Sequence, residues 1–153
     1  MIDIVGKKEC CGCHACASVC PKQCITMQAD EEGFLYPLVD LNACIHCNRC
    51  EKVCPAIHPG ESRMPIKVYA AKNKRLEIRM ESSSGGVFSL LAEKIVRLGG
   101  VVFGAKYDDR WNVVHAWTDT PEGTAAFRGA KYVQSVMGKS YQQARTFLKQ
   151  GRW

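Results

Sequence analysis

No cysteine occurs after residue 54 of this 153-residue chain, although ten occur up to and including it. Composition alone therefore divides the polypeptide. No apolar stretch approaches the ~20 residues of a membrane span; the apolar run at 101–103 reads as a strand, not an anchor. Basic and aromatic residues are not interleaved into a patch, so no nucleic-acid partner is expected. The opening residues do not read as a secretory leader, so a disulfide framework of the oxidising compartments is not expected either. The first 60 or so residues also have few large apolar side chains. A domain that small needs a staple to hold its fold.

The cysteines that are present supply one. Residues 10–21 read CCGCHACASVCP and residues 44–55 read CIHCNRCEKVCP. Cys10, Cys13, Cys16 and Cys20 precede Pro21; Cys44, Cys47, Cys50 and Cys54 precede Pro55. Both runs have the spacing C-x2-C-x2-C-x3-C-P of bacterial two-cluster ferredoxins. Three thiols at this pitch bind three irons of one cube, and the fourth reaches the other. The expected ligand sets are therefore crossed, Cys10, Cys13, Cys16 and Cys54 for one 4Fe-4S cluster, Cys44, Cys47, Cys50 and Cys20 for the other. Structural zinc, which uses two separated C-x2-C pairs, fits this spacing less well. Cys11 and Cys24 lie outside the pattern. Cys24 reads as a small apolar filler beside a cluster, and His14 and His46 as neighbours of the clusters, not ligands. Lys and Arg outnumber Asp and Glu by 21 to 15, a formal charge of +6. Each 4Fe-4S core with four thiolates carries about −2, which brings the loaded protein to about +2. A reducing cytoplasm is the expected compartment.

Around the runs, Ile2, Ile4 and Val5 suggest a short strand. Residues 25–28 and 34–39 suggest a hairpin about an Asp-Glu-Glu-Gly turn. Pro55, Pro59, Gly60, Ser62 and Pro65 mark a linker, which gives domains over 1–62 and 63–153. The second part begins with an expected strand at 67–71 and a charged stretch, 72–81, read as solvated or, through Arg79, as facing a substrate. A helix over 84–98 follows, with Val87, Phe88, Leu91, Ile95 and Leu98 on its apolar face and serines as caps. A buried strand over 101–106 completes an expected right-handed βαβ unit. An antiparallel strand over 112–118, a short helix opened by Pro121 and a last helix over 139–150 come next. That helix places Tyr141, Ala144, Phe147 and Leu148 on one face. The expected fold class is α+β, a ferredoxin-like two-4Fe-4S domain followed by an incomplete α/β domain. An amphipathic helix ending in Gly-Arg would ordinarily feed another buried strand, hence the expectation of a truncated piece. The glycine-rich helix start after three serines is also a place where phosphate binds.

The two cysteine runs, followed by RMESSSGGVFSLLAEKIVRLGGVVFGAKYDDRWNVVHAW and FRGAKYVQS, resemble the coenzyme F-420 hydrogenase/dehydrogenase beta-subunit family over essentially the whole chain. Ala130 stands where relatives commonly carry serine. The resemblance implies an iron–sulfur flavoprotein, with two clusters passing single electrons to FAD or FMN. It places Ser83, Ser84, Gly85 and Gly86 against a flavin phosphate. It makes Arg79, Arg128, Lys131 and Tyr132 candidates for flavin or substrate contact. A redox partner protein or subunit and a deazaflavin substrate are the implied partners. The alternatives are a ferredoxin-type electron carrier without catalysis of its own and a fragment that binds clusters but catalyses nothing. No catalytic residue is assigned.

Overall fold

The structure is a computed structural model that describes Ile2 and residues 6–153. The strand expected over Ile2, Ile4 and Val5 falls, apart from Ile2, outside the described residues. The chain divides into two compact units, Met1–Met64 and Pro65–Trp153.

In the N-terminal unit, α1 (Ala15–Val19) follows the first cysteine loop and α2 (Arg49–Lys52) follows the second. Between them lie β1 (Ile25–Ala29) and β2 (Leu35–Val39), an antiparallel hairpin in which Ile25 faces Val39 and Ala29 faces Leu35. Asp30 closes the turn. Its Oδ1 accepts the amides of Glu32 and Phe34 at 3.1 and 3.0 Å, and Gly33 supplies a φ of 87° that L side chains avoid. Pro37 is tolerated because a two-stranded ribbon has only edges. Ile2, Cys16, Cys24 and Ile25 are buried, and Cys20, Cys44, Cys50 and Cys54 are among the side chains packed on them. Thiols thus supply as much of this core as apolar carbon side chains do.

In the C-terminal unit, α3 (Leu76–Met80) and α4 (Val87–Arg97) precede a second antiparallel hairpin, β3 (Val102–Tyr107) with β4 (Val113–Thr118). An aspartate closes this turn as well. Asp108 Oδ1 accepts the amides of Arg110 and Asn112 at 2.9 and 2.8 Å, and Trp111 adopts a left-handed φ of 63°. A 3-10 helix (Glu122–Phe127) then lays the Phe127 ring on Gly104, where a Cβ would come within 2.6 Å of the ring. Helix α5 (Ser140–Lys149) sets Phe147 edge-on to Phe103 and Trp117, with ring centroids 6.3 and 4.8 Å apart. Val136 adds a parallel bridge to Val114 at the free edge of β4.

Several expectations for this unit change. Residues 67–71 form no strand. Val68 and Tyr69 are 84% and 77% exposed, and no neighbouring backbone pairs with the segment among the described residues. The expected βαβ unit is accordingly not formed; β3 pairs antiparallel with β4, and its residues are half-buried or exposed, not enclosed on both faces. Helix α4 turns Ser89 and Ala92 inward and leaves Phe88, Leu91 and Leu98 exposed. The helix packs against β3 and the 3-10 helix, and small side chains permit that close approach. On α5, Phe147 is half-buried, whereas Tyr141 and Leu148 are exposed. Pro121 takes the N-cap position of the 3-10 helix.

Candidate functional site

The two cysteine loops share one backbone pattern. Two residues after Cys10 comes Gly12 at φ 59°, and two further on His14 at φ 61°; the same offsets from Cys44 give His46 at φ 50° and Asn48 at φ 56°. Left-handed residues at alternate positions curl each loop before its short helix begins at Ala15 or Arg49. Three of these four residues are not glycine, and such strain persists only where the surroundings over-determine it, as at ligand clamps. The doubled spacing in the sequence is thus a doubled conformation in the fold.

The loops surround two pockets. Cys10, Cys13 and Cys16 line one together with Cys54, and Cys44, Cys47 and Cys50 line the other together with Cys20. Each pocket therefore gathers three thiols from one run and the fourth from the opposite run. Each also contains one of the two unpatterned cysteines, Cys11 in the first and Cys24 in the second. The atom-free spaces, open mouths included, are alike at about 390 and 380 Å³. Among the described residues, no three His, Cys, Asp or Glu side chains converge to hold a single metal ion.

Burial governs the electrostatics of the first run's inner thiols. Desolvation raises the Cys13 thiol and pushes Cys16 up to about 11. Coordination to iron would deprotonate both outright. Desolvation also pushes Cys20 up, but the backbone amides of Cys24, Lys22 and Gln23 and the Cys24 thiol outweigh it and hold Cys20 below the ordinary range. His14 lines the first pocket, and desolvation lowers its pKa. Its Nε2 is buried with no hydrogen-bond partner among the described residues. A buried orphan nitrogen is costly, and the sulfides of a cluster would give it acceptors. His46 lies in the second pocket's lining and is exposed. Residue types and grouping fit a 4Fe-4S core in each pocket, and in the first the orphan nitrogen fits it as well.

A third cavity, in the C-terminal unit, is roomier, with about 750 Å³ of atom-free space on the same measure and about 370 Å³ open to water, and is lined by Ser82, Ser83, Ser84, Gly85, Gly86, Val87 and Arg128, among others. The serines do not cap α4. Gly86 is its N-cap at φ 71°, with no side-chain cap, and Ser82 Oγ instead donates to Ile78 O at 2.7 Å. The loop is gripped by Asn73, which is buried. Its N–H donates to Gly85 O at 2.7 Å and its Nδ2 to Gly86 O at 3.3 Å. A Cβ at Gly85 would lie 2.7 Å from Ala71 O, so glycine is required for the close approach. Arg128 pairs with Glu81 and donates to Ser89 Oγ at 3.2 Å. Lys131 does not join the lining. Its Nζ donates to the carbonyls of Ala126, Arg128 and Gly129, at 3.3, 2.7 and 3.2 Å, and ties the 126–131 loop to itself. Desolvation there lowers its pKa. Tyr132 is 94% exposed, and Arg79 lies on α3 outside the lining. Asn73, which the sequence reading passed over as part of a charged stretch, is the residue that shapes this cavity; a lone polar residue between two lysines gave no signal of it.

No helix among the described residues is long and apolar enough to cross a membrane. No curated protein matches the chain. Residues 36–89 match the model of a 4Fe-4S dicluster domain that includes the second run only, with no cysteine beyond Cys54 to continue the pattern. Residues 9–57, which contain both runs, match a further model of the same description, so the N-terminal stretch is a ferredoxin-type 4Fe-4S dicluster domain and its chemistry is iron–sulfur electron transfer.

Proposed function

We propose that this chain is an electron-transfer subunit or fragment in which two 4Fe-4S clusters pass single electrons between a redox partner protein and a flavin, as in the coenzyme F-420 hydrogenase/dehydrogenase beta subunits it resembles. The observation that carries the cluster part is the grouping of thiols, three from one run with the fourth of the other in each pocket. Cys10, Cys13, Cys16 and Cys54 hold one cluster; Cys44, Cys47, Cys50 and Cys20 hold the other. When bound, the clusters supply one-electron storage. The chain's own residues set the conditions. The crossing cysteines tie α1 and α2 together, and the apolar hairpin limits the water that reaches the sulfurs.

The flavin part rests on the C-terminal cavity, whose volume open to water is at the lower end of the range for small-molecule sites. Ser83, Ser84, Gly85 and Gly86 would face the phosphate of FAD or FMN with Arg128 beside them. Lys131 would act only by holding the loop that carries Arg128. A deazaflavin is the substrate that the resemblance suggests. The domain division proposed is a cluster domain over 1–62 and a flavin-binding segment over 63–153, in a cytoplasmic protein. The second reading, a ferredoxin-type carrier with no flavin, is favoured by the two partners, Glu81 and Ser89, that already engage the Arg128 guanidinium.

Anaerobic purification with iron, sulfide and flavin quantification tests both parts. About eight irons and eight sulfides per chain are expected, with a broad absorption near 400 nm. Zinc in place of iron would end the cluster reading. Iron without extractable flavin would leave the carrier reading in its place.

A further inference from the structure

Each pocket contains a fifth thiol, but the two differ. Cys11 is exposed, whereas Cys24 is buried, at 8% exposure, among the side chains of the core. Local sequence explains its position. Pro21 occupies the first corner of a turn closed by the Gln23 amide donating to Cys20 O at 3.2 Å. Gln23 takes a left-handed φ of 51°, and the chain returns toward its starting point. Cys24 is then held from the other side, since its carbonyl accepts the Asp40 amide at 2.8 Å. The result is a Cys24 Sγ that lies 3.4 Å from Cys20 Sγ, within hydrogen-bond range for sulfur. Cys44, a further thiol of the same pocket, is its other sulfur neighbour.

In the thiol pair alone, either sulfur can donate. Iron at Cys20 removes that ambiguity, because a coordinating thiol is deprotonated and only Cys24 keeps a proton to give. Burial leaves little water to compete for it. We propose that Cys24 is a positioning residue that donates a hydrogen bond to Cys20 Sγ and thereby raises the reduction potential of the cluster held by Cys20, Cys44, Cys47 and Cys50. This rests on the cluster reading above. An electron added from an external reductant makes the sulfurs more negative, so a donor to Cys20 Sγ stabilises the reduced state more than the oxidised one. No bond to iron forms or breaks, and no proton leaves Cys24. In the other pocket the extra thiol, Cys11, neighbours Cys13 but is exposed, so it meets its ligand sulfur in water and not in the core.

The test uses the full chain, reconstituted anaerobically and titrated with dithionite under electron paramagnetic resonance, for wild type, Cys24→Ala and Cys24→Ser. Iron and sulfide content are measured first, and their absence from the wild type would defeat the cluster reading itself. With both clusters present, Cys24→Ala is expected to lower one potential and leave the other in place. A thiol is a weak donor, so the reduction equilibrium should shift roughly three- to tenfold, tenfold being about 59 mV for one electron. Cys24→Ser retains a donor and should recover most of the shift. Fully loaded Cys24→Ala with both potentials unchanged, or with both lowered equally, would overturn the proposal. Should Cys24→Ala fail to load, wild type in D2O still decides. An exchangeable deuteron coupled to one reduced cluster and lost in Cys24→Val, which fills the space without a donor, is expected, and identical deuteron couplings in wild type and Cys24→Val would overturn it.

Discussion

Thiols make up much of the N-terminal core, whereas the C-terminal unit is held by Phe103, Trp117, Phe127 and Phe147 stacked about one hairpin. The hairpins themselves are alike, each closed by an aspartate whose Oδ1 accepts two amides. What differs is the filling. Apolar rings gain from burial whatever the solvent contains. Buried thiols gain little until a metal core deprotonates and gathers them. One unit therefore has its stability tied to iron and the other does not. Chelation under anaerobic conditions is expected to abolish the N-terminal unit's secondary structure while the near-ultraviolet circular dichroism of the C-terminal aromatics survives. A native far-ultraviolet signal in the iron-free chain would erase the contrast.

Within the N-terminal unit the comparison is between two pockets that exchange a ligand. If Cys54 serves the first run's cluster, Cys54→Ala should reduce iron from about eight to about four per chain and leave the cluster of Cys20, Cys44, Cys47 and Cys50. Ligation confined to each run predicts the reverse, loss of the cluster of Cys44, Cys47 and Cys50. Adding Cys10→Ala separates them, since about four irons remain if Cys10 and Cys54 share a cluster and almost none if ligation is confined to each run.

The C-terminal contrast is sharpened at Gly104. A methyl there would come within 2.6 Å of the side chain of Phe127, which is itself buried. Gly104→Ala should cost about 1–3 kcal/mol by overpacking, read as a lower thermal midpoint for the C-terminal unit at unchanged iron content. Equal loss of the 400 nm absorption would show that the two units do not unfold separately.

Much of this was legible beforehand. The duplicated cysteine spacing announced two clusters because thiol pitch is a local property, and the two hairpins announced themselves through Asp-rich turns between apolar runs. The failures came where tertiary context decides. Residues 67–71 read as a strand, with Val68 and Tyr69 as strand formers, yet find no partner among the described residues, and a strand is defined by its partner. On α4 the apolar stripe was real, but the helix turned its small residues, Ser89 and Ala92, inward because close approach to β3 and the 3-10 helix favours small side chains. The serines at 82–84 looked like caps, but Gly86 took the cap position with a backbone angle only glycine accepts readily. Lys131 looked like a ligand-binding cation and proved to be tied to its own loop.

The smallest expected effect separates the two hairpins by pH. Hydrogen bonds from the Asn112 side chain and backbone, then from the Arg110 amide, hold the Asp108 carboxyl below the ordinary carboxylate value. A depressed folded-state pKa means that the unfolded chain binds the proton more readily. Its stabilisation is therefore fully present above the unfolded carboxylate value, about 3.9, and is lost as pH falls through the lower folded value. Asp108→Ala should flatten the acid limb of the C-terminal unit's stability curve and lower its plateau slightly, while Asp108→Asn, which keeps one acceptor oxygen, should recover part of the plateau but none of the pH dependence. Thermal unfolding followed at Trp117 and Trp111 between pH 2.5 and 7, roughly the span of carboxylate titration, measures both. An acid limb as steep in the two variants as in the wild type would place the linked proton elsewhere in the unit.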